Sequence, residues 1–288
     1  MDIRNIKIEA PKLEAGHLEF IYDKGREQLL QYMKVENLPN YPLDVNTRKS
    51  QVILKDFIGR VIEELFEGYE SINDVVELLE PIGFNTVLLS RKEYVDLLNY
   101  LQNANEEQAD ALGFYVTLFT YSNILPEDIY EYCRQAYGRP ITTFNDILSL
   151  GASRLYIADV LDNTKNRYNL FSDYWLSTIY NGDIEYTKLS IREYTPGFNT
   201  IDNCELDIQM SQLWFVIMEL NKARNLLKNR PWKQTEVMTK EIDFQESLVK
   251  SFIYYLGYLA DRGFDQDSLV TLFNRKQALN MWRIKTGY

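Results

Sequence analysis

Apolar residues recur along most of this chain at the three- and four-residue spacing that is typical of an α-helix. In residues 51–69, large apolar side chains fall four apart from Phe57 to Tyr69 and form one stripe. Residues 106–122 start with two glutamates, as the N-terminus of a helix favours, and then become apolar nearly all round. The pattern predicts an amphipathic helix in the first segment and a buried, central helix that begins at the glutamates of the second.

Later segments continue the helical pattern, and turn-forming residues separate them. Further helices are predicted over Pro126 to about Tyr137, Thr143 to about Asp162, Glu205 to Leu227, Phe244 to Arg262, and Asp265 to about Lys285. Gly263 is expected at the C-cap of the helix that precedes it. A strand remains an alternative only for Asn85 to Leu89. The expected fold class is all-α.

Composition limits the class of protein. The chain has 288 residues, of which 45% are hydrophobic and 25% charged, so it can bury a normal core. No segment reaches the about 18 uninterrupted apolar residues of a membrane helix, and the N-terminus lacks the apolar stretch of a secretory signal. With only Cys133 and Cys204, a reducing compartment and a cytoplasmic location are expected. The single histidine, His17, excludes a metal site built from several histidines.

The charge balance indicates the kind of partner. The net charge is −11, and Lys and Arg are dense only in the C-terminal segment. A protein that binds a nucleic-acid polymer usually carries a basic face, so we do not expect such a partner. An acidic chain with one local basic segment is typical of a protein that holds a small anionic ligand through a metal ion.

Two acidic sets lie at helical spacing in the first half of the chain. Glu63, Glu64 and Glu67 form the first set, and Glu107 and Asp110 form the second. Residues three and four apart share one face of a helix, so packing the two helices together gathers these carboxylates around one pocket. They repel one another unless a cation such as Mg²⁺ joins them. Acids at this spacing are also common on solvated helix faces, so the pattern alone leaves both interpretations open.

A weak internal repeat relates the two halves of the chain. Residues 61–65 (VIEEL) align with residues 216–220 (VIMEL), and the apolar helix 107–122 aligns with 247–262. Two copies of one helical unit would bury their apolar faces against each other as a four-helix core with extra helices. The predicted organisation is one compact unit with three parts: an N-terminal repeat (1–140), a helical connector (141–204) and a C-terminal repeat (205–288).

A third motif lies at the C-terminus, where the chain has the pattern KxxxNxxRxxxGY. Its members are Lys276, Asn280, Arg283, Gly287 and Tyr288. Together with the two acidic sets, this element resembles the all-α nucleoside triphosphate pyrophosphatases, which include MazG-like enzymes, dimeric dUTPases and phage dCTP/dUTP pyrophosphatases. These carry ExxE or EExxE on one helix and ExxD on the next. The resemblance covers both ends of the chain but neither residues 1–50 nor the middle.

The resemblance implies a cofactor, a reaction and a fold that resembles an internally fused dimer of the family's unit. Mg²⁺, or Mn²⁺ in its place, would be bound by Glu63, Glu64, Glu67, Glu107 and Asp110. Glu64 or Glu67 would orient or deprotonate the attacking water, as the catalytic residues. The substrate-binding residues would be Lys276, Asn280, Arg283 and Tyr288. The implied reaction hydrolyses a nucleoside triphosphate, a pyrimidine such as dUTP or dCTP, to monophosphate and pyrophosphate. The implied role is nucleotide-pool control, in the host cytoplasm if a phage encodes the protein.

The second repeat has lost most of the acidic set. Met218, Glu219 and Lys222 stand opposite the first acidic set, and Ser247 and Lys250 stand opposite the second. We therefore expect one composite site per chain, with metal ligands from the first repeat and the Lys/Asn/Arg set from the second. The two lysines either form salt bridges or reach a phosphate. The chain is expected as a monomer with a pseudo-dimeric core or as a homodimer.

Two questions stay open at the level of sequence. Phe20, Gln28 and the aromatic segment 168–180 are candidates for contacts with a base, and the aromatic segment also fits core packing or a dimer interface. The second question is the class of function. The alternative to an enzyme is a non-catalytic nucleotide-binding or protein-interaction protein on the same scaffold.

Overall fold

The structure, a computed structural model, describes residues 11–82, 88–155, 203–229, 235 and 237–286, and in these ranges every regular element is helical. The α-helices of the described residues are α1 (His17–Glu36), α2 (Arg48–Leu79), α3 (Arg91–Tyr121), α4 (Pro126–Tyr137), α5 (Phe144–Leu155), α6 (Asn203–Leu226), α7 (Glu241–Ala260) and α8 (Gln266–Thr286). A short 3-10 helix, Glu80–Ile82, follows α2. The predicted all-α class is therefore confirmed.

Helix α2 is longer than the predicted segment 51–69. It begins after Thr47, whose side-chain oxygen accepts a hydrogen bond from the backbone N–H of Ser50. The apolar stripe continues through Ile72 to Leu79, and both of these side chains are buried. The extra turns are therefore stabilised by the same packing as the predicted part.

The start predicted for the central helix is wrong. Helix α3 begins at Arg91, where Ser90 and Glu93 form a capping box, and it continues without a break to Tyr121. Its early turns bury Leu97 and Leu101, and this packing extends the helix far N-terminal of the glutamates. The acidic residues of the second set consequently lie in the middle of a helix, where the positive end of the helix dipole does not offset their charge.

The remaining helices lie near their predicted ranges. Helix α4 matches its prediction, and α6, α7 and α8 differ from theirs by up to three residues. Gly263 is not the C-cap itself, which is Asp261; it follows in a turn with a φ of 82°. The predicted end of α5 near Asp162 and the aromatic segment 168–180 lie outside the described residues. In the alternative strand segment, only Leu88 and Leu89 are described, and neither is in a strand.

Helix pairs build the core. Helix α2 packs along α3, α6 packs along α7, and α5 packs on α7. At the centre, the ring of Tyr115 on α3 stacks on Tyr255 of α7 with centroids 5.2 Å apart. The hydroxyl groups of Tyr115 and Ser251 form a hydrogen bond of 2.6 Å. The two halves of the chain therefore share one continuous core.

Helix α1 was not predicted from the sequence. It packs against α8 and α3. The buried His17 at its start lies 2.8 Å from Asp267 at the start of α8, so this histidine joins two helices. No helix in the described part of the chain is long and apolar enough to cross a membrane.

The packing of α5 on α7 gives a prediction about stability. A Cβ at Gly151 would lie 2.6 Å from the backbone nitrogen of Gly257, whereas a Cβ at Gly59 on α2 would meet nothing within 4 Å. Gly151→Ala should therefore lower the free energy of unfolding by about 1–3 kcal/mol through overpacking. Gly59→Ala, the matched control, should raise it by up to about 1 kcal/mol. Urea unfolding of both variants measures the difference, and equal stabilities would contradict this packing.

Candidate metal centre and adjoining cleft

Three carboxylates from α2 and α3 meet at one place between these helices. Glu64 lies on α2, and Glu107 and Asp110 lie three residues apart on one face of α3. One oxygen from each lies within 4.8 Å of the other two, and all three side chains are partly buried. One turn after Glu64, a Cβ at Gly68 would lie 2.5 Å from Nε2 of Gln108. A glycine beside the carboxylates therefore leaves room for the two helices to approach.

Burial and mutual repulsion favour the protonated forms of Glu64 and Glu107. Burial raises the pKa of Glu64 from its ordinary value of 4.5 to about 9, with further contributions from a hydrogen bond to Glu107 and from the charge of Asp110. Burial also raises the pKa of Glu107. A proton is therefore held between Glu64 and Glu107 at neutral pH. Carboxylate oxygens that converge in this way are the donor set that hard divalent cations prefer, so the residues fit such an ion.

The other two predicted ligands lie at the edge of this group. Glu67 is exposed, but its charge still contributes to the raised pKa of Glu64 and of Glu107. Glu63 is exposed and lies outside the group of three. The structure thus brings three of the predicted carboxylates together, with Glu67 nearby.

Lys276 reaches the same group from the far end of the chain. Its Nζ lies 2.9 Å from Oδ2 of Asp110 and 3.1 Å from Oε2 of Glu106, and its side chain is 6% exposed. Burial lowers the pKa of Lys276, but the charges of Asp110 and Glu106 outweigh this effect and raise the pKa overall. Burial likewise raises the pKa of Glu106, and the contacts with Lys276 and Gln102 outweigh it, so the net shift is downward. Lys276 is therefore engaged by two carboxylates.

Glu106 is a site residue that sequence reasoning missed. It lies four residues before Asp110, so the two share one face of α3, and both accept from Lys276. The signal was present in the sequence as the doubled glutamate at 106 and 107. A motif that asks only for the second glutamate passes over the first.

The other residues of the C-terminal motif lie along the same face of α8. Nδ2 of Asn280 lies 3.4 Å from Oδ1 of Asp110. Arg283, nearly one turn further on, lines the adjoining cleft, and its Nε is buried and has no hydrogen-bond partner in the described part of the chain. Gly287 and Tyr288 lie outside the described residues.

A cleft of about 230 Å³ opens beside the carboxylates, between α1, α2, α3 and α8. Glu64 and Asp110 line it from the acidic group, and Arg283 lines it from α8. Helix α1 contributes Gln28, one of the candidates for a contact with a base. Phe20, the other candidate on α1, packs against the hydrophobic core.

The second half of the chain has an ion-pair cluster where the sequence alignment placed the lost acidic set. Glu219 of α6 is buried, and its Oε1 lies 2.5 Å from Nζ of Lys222 and 3.2 Å from Nζ of Lys250 on α7. The salt-bridge alternative for the two lysines is therefore confirmed. Glu219 has two ammonium groups as neighbours, whereas its aligned residue Glu64 has carboxylates as neighbours.

No family model matches the chain, and comparisons with curated proteins and with solved structures find no similar protein. The assignment to a function consequently depends on the motifs and on the geometry of the described residues.

The proton held by Glu64 and Glu107 gives a prediction about metal binding. Between about pH 4.5 and pH 9 the folded protein binds more protons than the unfolded chain, because unfolded glutamate has an ordinary pKa. The free energy of unfolding of the metal-free protein should therefore fall as pH rises through this window. A divalent cation has to displace the proton, so its affinity should rise with pH and binding should release about one proton per ion near pH 7.

Calorimetric titration with Mn²⁺ in two buffers of different ionisation enthalpy measures this proton release. Glu64→Gln should abolish it, and Glu70→Gln, which changes an exposed acid on the same helix, should leave it unchanged. If the Mn²⁺ affinity of the wild-type protein did not depend on pH, the prediction that Mn²⁺ displaces a proton from Glu64 and Glu107 would be contradicted.

Proposed function

We propose that the chain is a Mg²⁺-dependent nucleoside triphosphate diphosphatase, with Mn²⁺ as a substitute ion. The observation that carries the proposal is the convergence of Glu64, Glu107 and Asp110 beside a cleft that Asn280 and Arg283 of the last helix also line. A triphosphate needs metal-binding oxygens on one side and fixed cationic or amide donors on the other. Here the oxygens come from α2 and α3, and the donors come from α8.

The residues have distinct roles in the proposed reaction. Glu64, Glu107 and Asp110 would hold the metal, which would offset charge on the triphosphate and lower the pKa of a water bound to it. Glu67, close to the group but outside it, orients and deprotonates the water that attacks the α-phosphorus, and Glu64 is the alternative base. The bond from the α-phosphorus to the bridging oxygen breaks, so the products are a monophosphate and pyrophosphate.

Substrate contacts come from α8. Arg283 offers a planar guanidinium, whose shape suits two phosphate oxygens at once. Its Nε is buried and has no hydrogen-bond partner among the described residues. Asn280 donates to a phosphate or sugar oxygen. In this proposal Lys276 is a positioning residue: as a buried cation it pairs with Asp110 and Glu106 and holds Asp110 in place. The pyrimidine substrate, dUTP or dCTP, and the role in phage nucleotide pools follow from the family resemblance.

One composite site per chain fits the contrast between the two halves. Helices α2 and α3 form a pair, as do α6 and α7, and the aligned residues Tyr115 and Tyr255 stack on each other. Such a contact between equivalent positions is typical of a two-fold interface and supports a fused dimer with a pseudo-dimeric core. The two lysines that pair with Glu219 give that cluster a net positive charge, which disfavours a second divalent ion there.

A second candidate is a non-catalytic nucleotide-binding or protein-interaction protein. The ion pair between Lys276 and Asp110 favours it, because the lysine already neutralises one of the three carboxylates. The two candidates differ in turnover, so an activity assay separates them.

The enzyme proposal predicts turnover with at least one nucleotide. Incubation with Mg²⁺ and each common NTP and dNTP, including modified pyrimidines, should release monophosphate and pyrophosphate in equal amounts. Glu64→Gln should lower kcat/KM by at least about 100-fold, because it removes a metal ligand. Glu70→Gln and Lys222→Met, which alter an exposed acid and the second-half cluster, should retain activity within about threefold. If no nucleotide were turned over, the proposal that the chain is an enzyme would be excluded.

A further inference from the structure

Arg60 of α2 lies at the cleft but belongs to none of the motifs. Its guanidinium carbon lies 5.5 Å from the ring centroid of Phe57 and 5.7 Å from that of Phe114, and all three residues line the cleft. Its Nε donates to Oδ2 of Asp56 at 3.1 Å. Two aromatic rings and one carboxylate thus hold the guanidinium in a defined position, and the side chain is still 43% exposed.

The described lining of the cleft includes two cationic side chains, Arg60 and Arg283. Lys276, the cation that the C-terminal motif supplies for phosphate, is 6% exposed and engaged by two carboxylates. A metal-bound triphosphate keeps about two negative charges that a single guanidinium does not offset. The cleft therefore needs a second cation at its surface, and Arg60 is in place to supply it.

The position of Arg60 along α2 matches this role. It precedes Glu64 by four residues, which is one helical turn or about 6 Å along the axis. An arginine at that distance reaches a phosphate that adjoins the one held at the carboxylate group. The contact with Asp56 uses Nε, so the guanidinium can bind a ligand through its outer nitrogens without giving up that contact. The ion pair with the exposed Asp56 contributes little to stability.

We propose that Arg60 is a substrate-binding residue that contacts the phosphate chain of the nucleotide, together with Arg283 of α8. The inference rests on the proposed function, since it assigns a further residue of the same site. Helix α2 then contributes both a metal ligand and a phosphate ligand, one turn apart, and the substrate is held between α2 and α8.

The test separates phosphate from nucleoside. Dissociation constants are measured by calorimetry for inorganic tripolyphosphate in the presence of Ca²⁺, for deoxyuridine and deoxycytidine, and for dUTP and dCTP. Arg60→Gln should weaken tripolyphosphate binding by about tenfold or more, the loss expected for a charge-assisted pair, and leave nucleoside binding unchanged. Arg60→Lys should show a smaller loss, because it keeps the charge but not the planar contact with the rings.

Arg134→Gln is the matched control. Arg134 is also 43% exposed and also pairs with an acid on its own helix, but it lies on α4 and does not line the cleft. It should bind tripolyphosphate as the wild type does. Equal thermal melting of Arg60→Gln and wild type, within a few degrees, verifies that the fold is intact.

The outcomes distinguish the two proposals. If wild-type protein binds tripolyphosphate and Arg60→Gln binds it equally well, the role of Arg60 is overturned while the proposed function stands. If Arg60→Gln weakens nucleoside binding instead, Arg60 contacts the base or sugar and the phosphate assignment is overturned. If the wild type binds nucleotides but not tripolyphosphate, the phosphate assignment also fails. If it binds neither, the proposed function fails and this inference fails with it.

Discussion

The ion pair between the buried Lys276 and the partly buried Asp110 joins the last described helix to the central one. It fixes α8 against α3 at the point where the carboxylates of α2 and α3 converge. A buried charge pair is costly to form unless its groups are well satisfied, and here Glu106 supplies a second acceptor for the same ammonium. The charge of Asp110 contributes to the raised pKa of both Glu64 and Glu107. The remaining pair has to hold either a proton or a metal ion.

Electrostatic contrast across the cleft follows from this arrangement. The carboxylates form one part of the site, and their nearest cation, Lys276, is buried. Two guanidinium groups, those of Arg60 and Arg283, line the open cleft beside them. In the proposed function, a triphosphate with a divalent cation would complement both, since the ion would meet the carboxylates and the phosphates would meet the arginines. In the second half of the chain, two lysines pair with Glu219, so that cluster has a net positive charge without a metal ion. The site is consequently a property of the whole chain.

Except for α1 and the start of α3, the sequence predicts where the helices lie and the face on which each acid lies, because both depend on local spacing. It predicts that the two helices with the acidic sets pack together, but not the packing of α1 on α8 and α3. The start of α3 at Arg91 depends on Leu97 and Leu101 packing in the core, and the role of Lys276 depends on its burial against Glu106. A lysine in a motif indicates a phosphate ligand as readily as an internal ion pair, and only the three-dimensional contact distinguishes them. Arg60 belongs to no motif, and its position at the cleft appears only in the folded chain.

The central claim is that Glu64, Glu107 and Asp110 form one divalent-metal centre. The most direct measurement is an anomalous difference map from crystals of the protein grown with Mn²⁺. We expect one peak in each chain, at a coordination distance of about 2.2 Å from an oxygen of each of these carboxylates, and none at Glu219. A map with no peak at these residues under saturating Mn²⁺, or with its peak at Glu219, would contradict the account.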